Sequence, residues 1–153
     1  MGADRPKQYL EIKGYPLLVY TIARFLKVQW DDFVISAPED WQNETKKLVK
    51  EYFPNAGIKV IKGGATRTDS VRNCLDELKK SGKNGVVAIH DGVRPLLSKD
   101  LITNCLKEAH RCGSALPVVN PVETVRMGPI SETSIVPRDR IHLVQTPNAL
   151  TWE

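Results

Sequence analysis

The chain has 153 residues, which is enough for one domain with a sizeable core. Its 41% hydrophobic and 26% charged residues are typical of a globular protein, and no apolar run reaches the roughly 18 residues of a membrane span. Disorder, collagen and membrane spanning are therefore excluded. The 22 basic and 18 acidic side chains give a net charge of +4, which suits a partner that carries phosphate.

Cysteine and tryptophan usage narrows the function classes further. Cys74, Cys105 and Cys112 lack CxxC spacing and a matching set of histidines, which argues against a zinc site or a disulfide framework. An odd number of thiols, with no signal-peptide pattern, predicts a cytoplasmic protein. The three tryptophans are not interleaved with a basic stripe and no nucleic-acid motif is recognised, so a nucleic-acid partner is disfavoured.

Short apolar runs alternate with amphipathic stretches along most of the chain, which predicts alternating strands and helices. Such alternation indicates right-handed crossovers and a mainly parallel sheet with helices on both faces. Strands are predicted at residues 33–37, 58–61, 86–89 and 115–119. Helices are predicted at residues 16–27 and 39–53, over the stretch that carries Val71 and Leu75, and from a Ser98 cap to about Gly113.

The alternation stops after Asn120. Residues 122–127 and 135–145 show extended patterns around a Gly128-Pro129 break, with no helical periodicity between them. This predicts a β arm over about residues 121–140. The arm either packs against another subunit or forms a surface hairpin on its own chain, and the pattern alone leaves both open.

Two loops that follow predicted strands carry candidate functional side chains, because ligands of parallel sheets bind beyond the carboxyl ends of the strands. The first loop, KGGATRTDS at residues 62–70, offers Arg67, Ser70, flexible backbone amides and a helix amino terminus to an anion or a polar base. The Gly63-Gly64 pair within it could equally be a plain turn.

The second loop is HDGVRP at residues 90–95, where Asp91 and Arg94 stand three positions apart directly after a strand. An Asp-Arg pair of this kind either stabilises its own loop or contributes to a site. His90 is predicted to be a structural histidine, because no serine or cysteine nucleophile with an orienting partner accompanies it. Lys7 near the amino end and Thr146 after a predicted strand are further candidates.

Six segments, in this order, resemble the 2-C-methyl-D-erythritol 4-phosphate cytidylyltransferases and their close relatives, the ribitol-5-phosphate cytidylyltransferases. They are PKQYL at 6–10, GGATRTDSV at 63–71, HDGVRP at 90–95, ETVR at 123–126, PRDR at 137–140 and QTP at 145–147. The likeness runs nearly from end to end. It implies an α/β fold with a doubly wound, mainly parallel sheet like that of nucleotide-diphospho-sugar transferases, and a protruding β arm exchanged within a homodimer.

The resemblance implies transfer of CMP from CTP to 2-C-methyl-D-erythritol 4-phosphate in isoprenoid precursor synthesis, with release of pyrophosphate and a requirement for Mg²⁺. Lys7 matches the catalytic lysine that stabilises charge on the α-phosphate. Contacts to CTP are matched by Gly64, Arg67 and Ser70, and contacts to the polyol phosphate by Asp91, Arg94 and Thr146. Positions delivered by the arm of the partner subunit are matched by Thr124 and Arg138. No metal ligand is identified.

Departures from the family pattern occur at both ends of the chain. The family has a first strand and an arginine-bearing glycine-rich loop before the segment where this chain has MGAD at residues 1–4, and it continues past QTP with a further lysine. We therefore expect residues 1–153 to form one incomplete cytidylyltransferase domain with little turnover of its own. The alternatives are a ribitol-5-phosphate cytidylyltransferase, or an inactive dimerising fragment of either enzyme.

Overall fold

The computed structural model describes residues 5–152. Its helices are α1 (Leu17–Phe25), α2 (Gln42–Tyr52), α3 (Arg67–Lys79) and α4 (Lys99–Cys112), with 3-10 turns at Lys7–Tyr9, Glu39–Trp41 and Arg138–Arg140. Its longer strands are β3 (Phe33–Ala37), β4 (Ile58–Lys62), β5 (Gly85–Ile89) and β11 (Asn148–Trp152). Its shorter strands are β1 (Glu11–Ile12), β2 (Tyr15–Pro16), β6 (Ser114–Ala115), β7 (Val118–Val119), β8 (Val125–Met127), β9 (Ser134–Val136) and β10 (Leu143–Val144). No helix within residues 5–152 combines the length and apolar character that crossing a membrane requires.

Strands β3 and β4 pair in parallel, with Ile35 opposite Val60, and helices cover both faces of the pair. On one face, Ile35 packs against the core that α1 and α2 form. On the other face, the Cys74 thiol of α3 lies within hydrogen-bonding reach of Ser36. Because adjacent residues of a strand point to opposite faces, these two contacts place α3 across the sheet from α1 and α2. The α/β class with helices on both faces is confirmed.

The largest buried cluster anchors the amino-terminal turn to the helices. Tyr9 is 1% exposed and stacks on Trp41 with ring centroids 4.6 Å apart. Its hydroxyl lies 2.7 Å from the Thr45 hydroxyl, which in turn donates to the Trp41 carbonyl at 2.7 Å. These polar atoms are therefore satisfied inside an apolar core built around Leu18 and Ile22, and the Lys7–Tyr9 turn is held in one place.

A second, antiparallel sheet has the order β5, β11, β6. Residues 148–152 carry no clear strand pattern, so β11 was not among the predicted strands. Helix α4 packs on this sheet through Cys105 and Ala109, which contact Ala149. Cys105 is buried, whereas Cys74 is half-buried and Cys112 is exposed, and none of the three forms a disulfide.

Two predicted helix boundaries follow from local capping. The Ser98 hydroxyl accepts from the Leu101 backbone N–H, and Gly113 ends α4 with φ +88°, as predicted. At α3, Thr66 accepts from the Asp69 backbone N–H while the Asp69 carboxylate accepts from the Thr66 backbone N–H. This reciprocal pair fixes where α3 begins.

The single strand predicted at residues 115–119 is wrong in detail. Pro117 lacks a backbone N–H for a ladder, and the segment divides into β6, which pairs with β11, and β7, which pairs with β10. Beyond it, β8 and β9 form an antiparallel hairpin with Val125 opposite Val136. No α-helix interrupts residues 121–140, where the described helical residues are those of the 3-10 turn at Arg138–Arg140, and this agrees with the extended pattern of the arm.

A cavity of about 790 Å³ lies between β3 and β5. Both strands run in the same direction, because β3 is parallel to β4 and ion pairs join the beginnings of β3 and β5 and the ends of β4 and β5. Lys83 and Asp32 pair at 3.2 Å before the two strands begin, and Arg67 and Asp91 pair at 3.0 Å where β4 and β5 end. Within residues 5–152, β3 pairs only with β4, so its cavity-side edge has no ladder.

Candidate active site

The candidate site is organised around the Asp91 carboxylate, just past the carboxyl end of β5. Asp91 Oδ1 accepts hydrogen bonds from Arg67 Nε at 3.2 Å and Arg67 Nη2 at 3.0 Å. The structure therefore brings together the two loops that the sequence singled out, although Arg67 and Asp91 are 24 residues apart. Parallel strands explain the meeting, because their carboxyl ends lie at one sheet edge.

Arg94 completes a cluster of three charges. Its Nε donates to Asp91 Oδ2 at 3.1 Å, and its Nη1 donates to Gln145 Oε1 at 3.0 Å. Two guanidinium groups thus surround one carboxylate, which leaves an excess of one positive charge at the sheet edge. Half or more of each guanidinium-bearing side chain is exposed, so both retain N–H donors for a ligand. Such a cluster suits a phosphate group.

The loop before α3 is held by its own polar groups. Ser70 Oγ accepts from the Gly64 backbone N–H at 3.0 Å and donates to the Thr66 carbonyl at 3.0 Å. A Cβ added at Gly64 would overlap the Asp69 Cβ, so this position requires glycine. Hydrogen bonds from Thr66 lower the pKa of Asp69, which keeps that carboxylate charged within the cap.

His90 stabilises the second loop by a hydrogen bond to its backbone. It is half-buried, packs against the Phe25 ring with centroids 4.8 Å apart, and donates from Nε2 to the Arg94 carbonyl at 3.0 Å. Burial lowers the pKa of His90 below its ordinary value, so the imidazole is neutral near pH 7. The structural role predicted for His90 agrees with these contacts. Its Nδ1 is buried and has no partner within residues 5–152.

Helix α1 is joined directly to the turn that carries Asp91 and Arg94. The buried Thr21 hydroxyl donates to the Gly92 carbonyl at 2.8 Å, and Leu18 lies close enough that a Cβ on Gly92 would meet its Cδ1 at 3.1 Å. Within the turn, the Arg94 backbone N–H donates to the Asp91 carbonyl at 3.1 Å. Backbone position in this loop is therefore set by a core helix.

Lys7 is an exposed residue of the amino-terminal 3-10 turn. Its neighbours Gln8 and Tyr9 line the same cavity as Ser70 and Asp91. The turn that carries Lys7 is held in place by the buried Tyr9.

Thr146 is 9% exposed, and its Oγ1 has no partner within residues 5–152. It comes two residues before Asn148, which is opposite Ile89 in the register of β11 and β5. Thr146 therefore lies at the same end of β5 as Asp91.

The two arm residues, Thr124 and Arg138, are exposed. Arg138 Nη1 donates to the Val122 carbonyl at 2.8 Å, which braces the base of the hairpin. Among residues 5–152, neither side chain hydrogen-bonds to Arg67, Asp91 or Arg94. The structure thus brings Arg67, Asp91 and Arg94 together at one sheet edge, and the roles predicted for Lys7, Thr124 and Arg138 stay predictions.

The described residues do not offer a ready-made magnesium site. Residues 5–152 contain no group of three or more histidine, cysteine or acidic side chains placed to hold a metal ion. Both carboxylate oxygens of Asp91 are already engaged by arginines.

Gln145 is a contact residue of the site that was not among the candidates predicted from the sequence. It belongs to the QTP segment, but its 51-residue separation from Arg94 gave no signal of the hydrogen bond between them. Its backbone N–H also donates to the Pro117 carbonyl at 2.8 Å, which fixes its position beside the cluster.

Comparisons with known proteins agree with this geometry. The family model described as IspD, 2-C-methyl-D-erythritol 4-phosphate cytidylyltransferase, matches residues 1–153. A protein of that name from Clostridium botulinum is 38% identical over the whole chain, which covers 68% of the relative. A crystal structure of 2-C-methyl-D-erythritol 4-phosphate cytidylyltransferase from Thermus thermophilus is 29% identical, with a TM-score of 0.72, over 95% of this chain and 65% of that one.

A crystal structure of 4-diphosphocytidyl-2C-methyl-D-erythritol synthase from Anaerococcus prevotii has a TM-score of 0.85 over 95% of this chain and 64% of that chain. At 23% identity it supports the fold alone. This chain therefore spans about two thirds of the length of the relatives that it matches. The match of the family model over all 153 residues confirms the resemblance, and the chain belongs to the 2-C-methyl-D-erythritol 4-phosphate cytidylyltransferase family.

Proposed function

We propose that this chain supplies the nucleotide and polyol-phosphate contacts of a CTP-dependent cytidylyltransferase that acts on 2-C-methyl-D-erythritol 4-phosphate. The observation that carries the proposal is the ion-paired cluster of Arg67, Asp91 and Arg94 at the carboxyl edge of the sheet, in a chain of this family. An excess positive charge at that edge is what a reaction between two phosphate-bearing molecules requires.

In the proposed reaction, an oxygen of the polyol phosphate attacks the α-phosphorus of CTP. A new P–O bond forms as the bond between the α-phosphorus and the bridging oxygen to the β-phosphate breaks, and pyrophosphate leaves with that electron pair. No covalent intermediate with the protein is needed. Catalysis then rests on alignment of the two phosphates and on cations near the equatorial oxygens.

Lys7 is proposed as the catalytic cation. Its ammonium is a mobile point charge on an exposed turn, which suits stabilisation of negative charge that builds on the α-phosphate. The turn itself is rigid, because Tyr9 is buried and stacked on Trp41. Because the backbone of the turn is fixed and the lysine side chain is flexible, the charge can follow the phosphate during transfer.

The loop before α3 is proposed to hold CTP. Arg67 offers guanidinium donors, and Ser70 keeps the Gly64 backbone in place through the hydrogen bond between Gly64 N and Ser70 Oγ. Gly64 is exposed, and its close approach to Asp69 leaves no room for a side chain at this point. A planar, polar cytosine could be read by such backbone groups.

The loop after β5 and the residue before β11 are proposed to hold the polyol phosphate. Arg94 is restrained by Asp91 and Gln145, so its remaining N–H groups are available to a ligand from a guanidinium of restricted orientation. The buried Thr146 hydroxyl lacks a partner within residues 5–152 and is a suitable donor or acceptor for a substrate hydroxyl.

We further propose that the chain works as a homodimer in which the arm of residues 121–140 delivers Thr124 and Arg138 to the site of its partner. The arm is a hairpin whose apolar side chains are exposed in the single chain, with Val122 81%, Ile130 101% and Ile135 65% exposed. Burying these against a second copy would remove apolar surface from water.

Two further parts of the proposal concern the binding of Mg²⁺ and the cellular compartment. We propose that Mg²⁺ arrives coordinated by the phosphates of CTP, because the described residues offer no preformed group of ligands. The absence of a disulfide among Cys74, Cys105 and Cys112 supports a reducing compartment such as the cytoplasm.

The alternative polyol, ribitol 5-phosphate, would use the same chemistry. The names of the relatives favour the methylerythritol substrate, since the proteins from Clostridium botulinum and Thermus thermophilus are both named after it. Calorimetric titration of the chain with CTP and Mg²⁺, and then with each polyol phosphate, tests the proposal. Tighter binding of methylerythritol phosphate than of ribitol phosphate is expected, and the reverse order would overturn the substrate assignment.

Arg67→Ala and Arg111→Ala form a matched pair for the same titration. Arg67→Ala should weaken CTP binding about tenfold, as expected for loss of one charge-assisted contact. Arg111 is exposed on α4 and, among residues 5–152, pairs only with its neighbour Glu108, so Arg111→Ala should leave CTP binding unchanged. Equal effects of the two substitutions would exclude a specific role for Arg67. Pyrophosphate release, measured on the same samples, reports turnover separately from binding.

A further inference from the structure

We propose that a groove between α2 and β4 binds a small amphipathic anion, that is, a molecule with a phosphate or carboxylate head and a short apolar tail. The groove encloses a cavity of about 350 Å³. It shares no lining residue with the larger cavity between β3 and β5, and none with the cluster of Arg67, Asp91 and Arg94. This inference therefore does not depend on the proposed function.

One wall of the groove comes from α2 and its carboxyl-terminal cap. Four lining residues follow the spacing i, i+3, i+4 and i+7, which places them on one face of the helix. They are Lys46, Val49, Lys50 and Phe53. The opposite wall comes from Ile58 and Val60 of β4, which lie on the same face of the strand because they are two residues apart.

The floor of the groove is apolar and fixed. Phe53, Ile58 and Val60 are half-buried and pack against the core cluster that contains the buried Val49. These side chains are anchored in the core, so the floor keeps its shape without a ligand. A short hydrocarbon tail laid on this floor would remove apolar surface of both partners from water.

Two lysines line the groove above this floor. Lys46 and Lys50 are exposed and stand four residues apart on one helical face, so their like charges repel each other. No carboxylate stands three or four positions away from either lysine. Those positions hold Gln42, Asn43, Lys47, Val49, Phe53, Pro54 and the two lysines themselves. An anionic head group between the two ammonium groups would relieve the repulsion and be held by both.

Acidic residues close to the two lysines in the chain do not neutralise them. Glu44 pairs with Arg5 at 3.2 Å. Glu51 directly follows Lys50, and adjacent residues of a helix do not face each other. Among residues 5–152, neither lysine of the groove forms an ion pair, so both charges are available to a ligand.

The groove is open at the start of β4. Gly57 lines it there, is exposed, and has no neighbouring atom within 4 Å of the place where a Cβ would lie. Within residues 5–152, β4 pairs only with β3, so no described strand covers this side. Lys59 and Lys62 put charge on that edge of the sheet, which disfavours pairing with a further strand. A small molecule fits the groove better than a polypeptide strand.

The two features together define the class of ligand. A polar anion without a tail would leave the apolar floor in contact with water. A neutral hydrocarbon would leave Lys46 and Lys50 without a counterion. A molecule with one anionic head and a short tail satisfies both, whether the head is a phosphate or a carboxylate.

The test compares three probes that share an octyl tail and differ in the head group, namely octyl phosphate, octanol and octyltrimethylammonium. Each is titrated into the isotope-labelled 153-residue chain while NMR follows the backbone amides. Octyl phosphate should bind saturably and shift amides within residues 46–60. Octanol should bind at least about tenfold more weakly, as expected for loss of a charge-assisted contact, and the cationic probe more weakly still. Equal affinities for the anionic and cationic probes would overturn the proposal.

A second series varies the tail, with butyl, hexyl and octyl phosphate and with octanoate as the carboxylate counterpart of the octyl probe. If the tail lies on the apolar floor, each added methylene should tighten binding by up to about fourfold. Octanoate should shift the same amides as octyl phosphate. An affinity that does not change with tail length, or shifts confined to residues 62–70 and 90–95, would place the probe at the arginine cluster instead and contradict the proposal.

Lys50→Gln and Lys47→Gln form the matched variants. Both remove one positive charge from an exposed position of α2, but only Lys50 lines the groove. Glutamine is a good helix former, so both variants should fold. Lys50→Gln should weaken octyl phosphate binding about fivefold, and the double variant with Lys46→Gln more than about tenfold. Lys47→Gln should leave the affinity unchanged. Equal losses in the two single variants would show that binding follows net charge alone, which would overturn the proposal.

Discussion

Arg94 and Gln145 are hydrogen-bonded across 51 residues of sequence, with Arg94 Nη1 3.0 Å from Gln145 Oε1. The bond joins the loop after β5 to the segment that leads into β11. Since Asp91 holds Nε of the same guanidinium, Arg94 is restrained at two of its three nitrogens. Nη2 and the second N–H of Nη1 are left for a ligand by these two contacts.

Substitution of Gln145 tests whether this restraint matters for binding. In Gln145→Met, the side chain keeps its length and loses the acceptor, so Arg94 gains rotational freedom that a ligand must remove. We expect methylerythritol phosphate to bind about three- to tenfold more weakly and CTP to bind as before, measured by calorimetry. His142→Met, at an exposed position nearby in the chain, is the control. A loss of CTP affinity of the same size would point to general disruption of the site.

Gly64→Ala tests the close approach in the loop before α3. The added Cβ would overlap Asp69, so the loop must move away from Ser70 and the cap of α3 must adjust. We expect CTP affinity to fall at least tenfold and the urea midpoint to fall. Gly57→Ala is the control for a loss of stability without a clash. Gly57 has φ +64°, which strains an alanine, but the space around it is open. CTP binding that survives Gly64→Ala would remove this loop from the nucleotide site.

The buried imidazole of His90 predicts a pH dependence of stability. Its pKa is lowered in the folded chain by burial, so the unfolded chain binds a proton more readily below the ordinary value of 6.5. The contribution of His90 to the free energy of unfolding is therefore fully present above pH 6.5 and is lost as the pH falls toward its folded pKa. Urea midpoints from pH 7.5 to 5 should fall, and His90→Gln should reduce the slope.

His142→Gln provides the comparison for that series, because His142 is exposed. If both substitutions reduce the slope equally, burial of His90 is not its source.

The arm predicts a concentration-dependent dimer. Ile135→Asp places a charge on an exposed apolar side chain of the hairpin and should convert the dimer to a monomer in sedimentation velocity. Leu96→Asp is a matched substitution outside the arm, at a side chain that is 93% exposed, and should leave the dimer intact. A chain that is monomeric at all concentrations before substitution would exclude the arm as a dimer contact on its own.

Local signals in the sequence were sufficient for the elements that carry their own boundaries. Ser98 and Gly113 delimit α4, and the apolar run at residues 33–37 forms β3. Strand β11 could not be predicted in this way. It contains Asn148 and Thr151, follows Pro147, and is a strand because it pairs with β5 across about 60 residues.

The contacts of the candidate site likewise fall into those that the sequence predicts and those that it does not. The meeting of Arg67 and Asp91 was predictable, since both follow strands that end at one sheet edge. The contacts of His90 with Phe25 and of Arg94 with Gln145 depend on side-chain packing between distant segments. No spacing or motif reports such packing.

The hydrogen bond from Thr21 to the Gly92 carbonyl makes α1 and the Asp91–Arg94 turn one mechanical unit. A rotation of α1 about its axis would pull on the backbone between the two charged residues, and tight ligand binding at that turn would in turn stiffen the helix. Substitutions on the buried side of α1, far from any substrate, are therefore expected to alter affinity at the sheet edge. Random libraries screened for altered polyol preference should yield changes at Leu18 and Thr21 as well as in the loop itself.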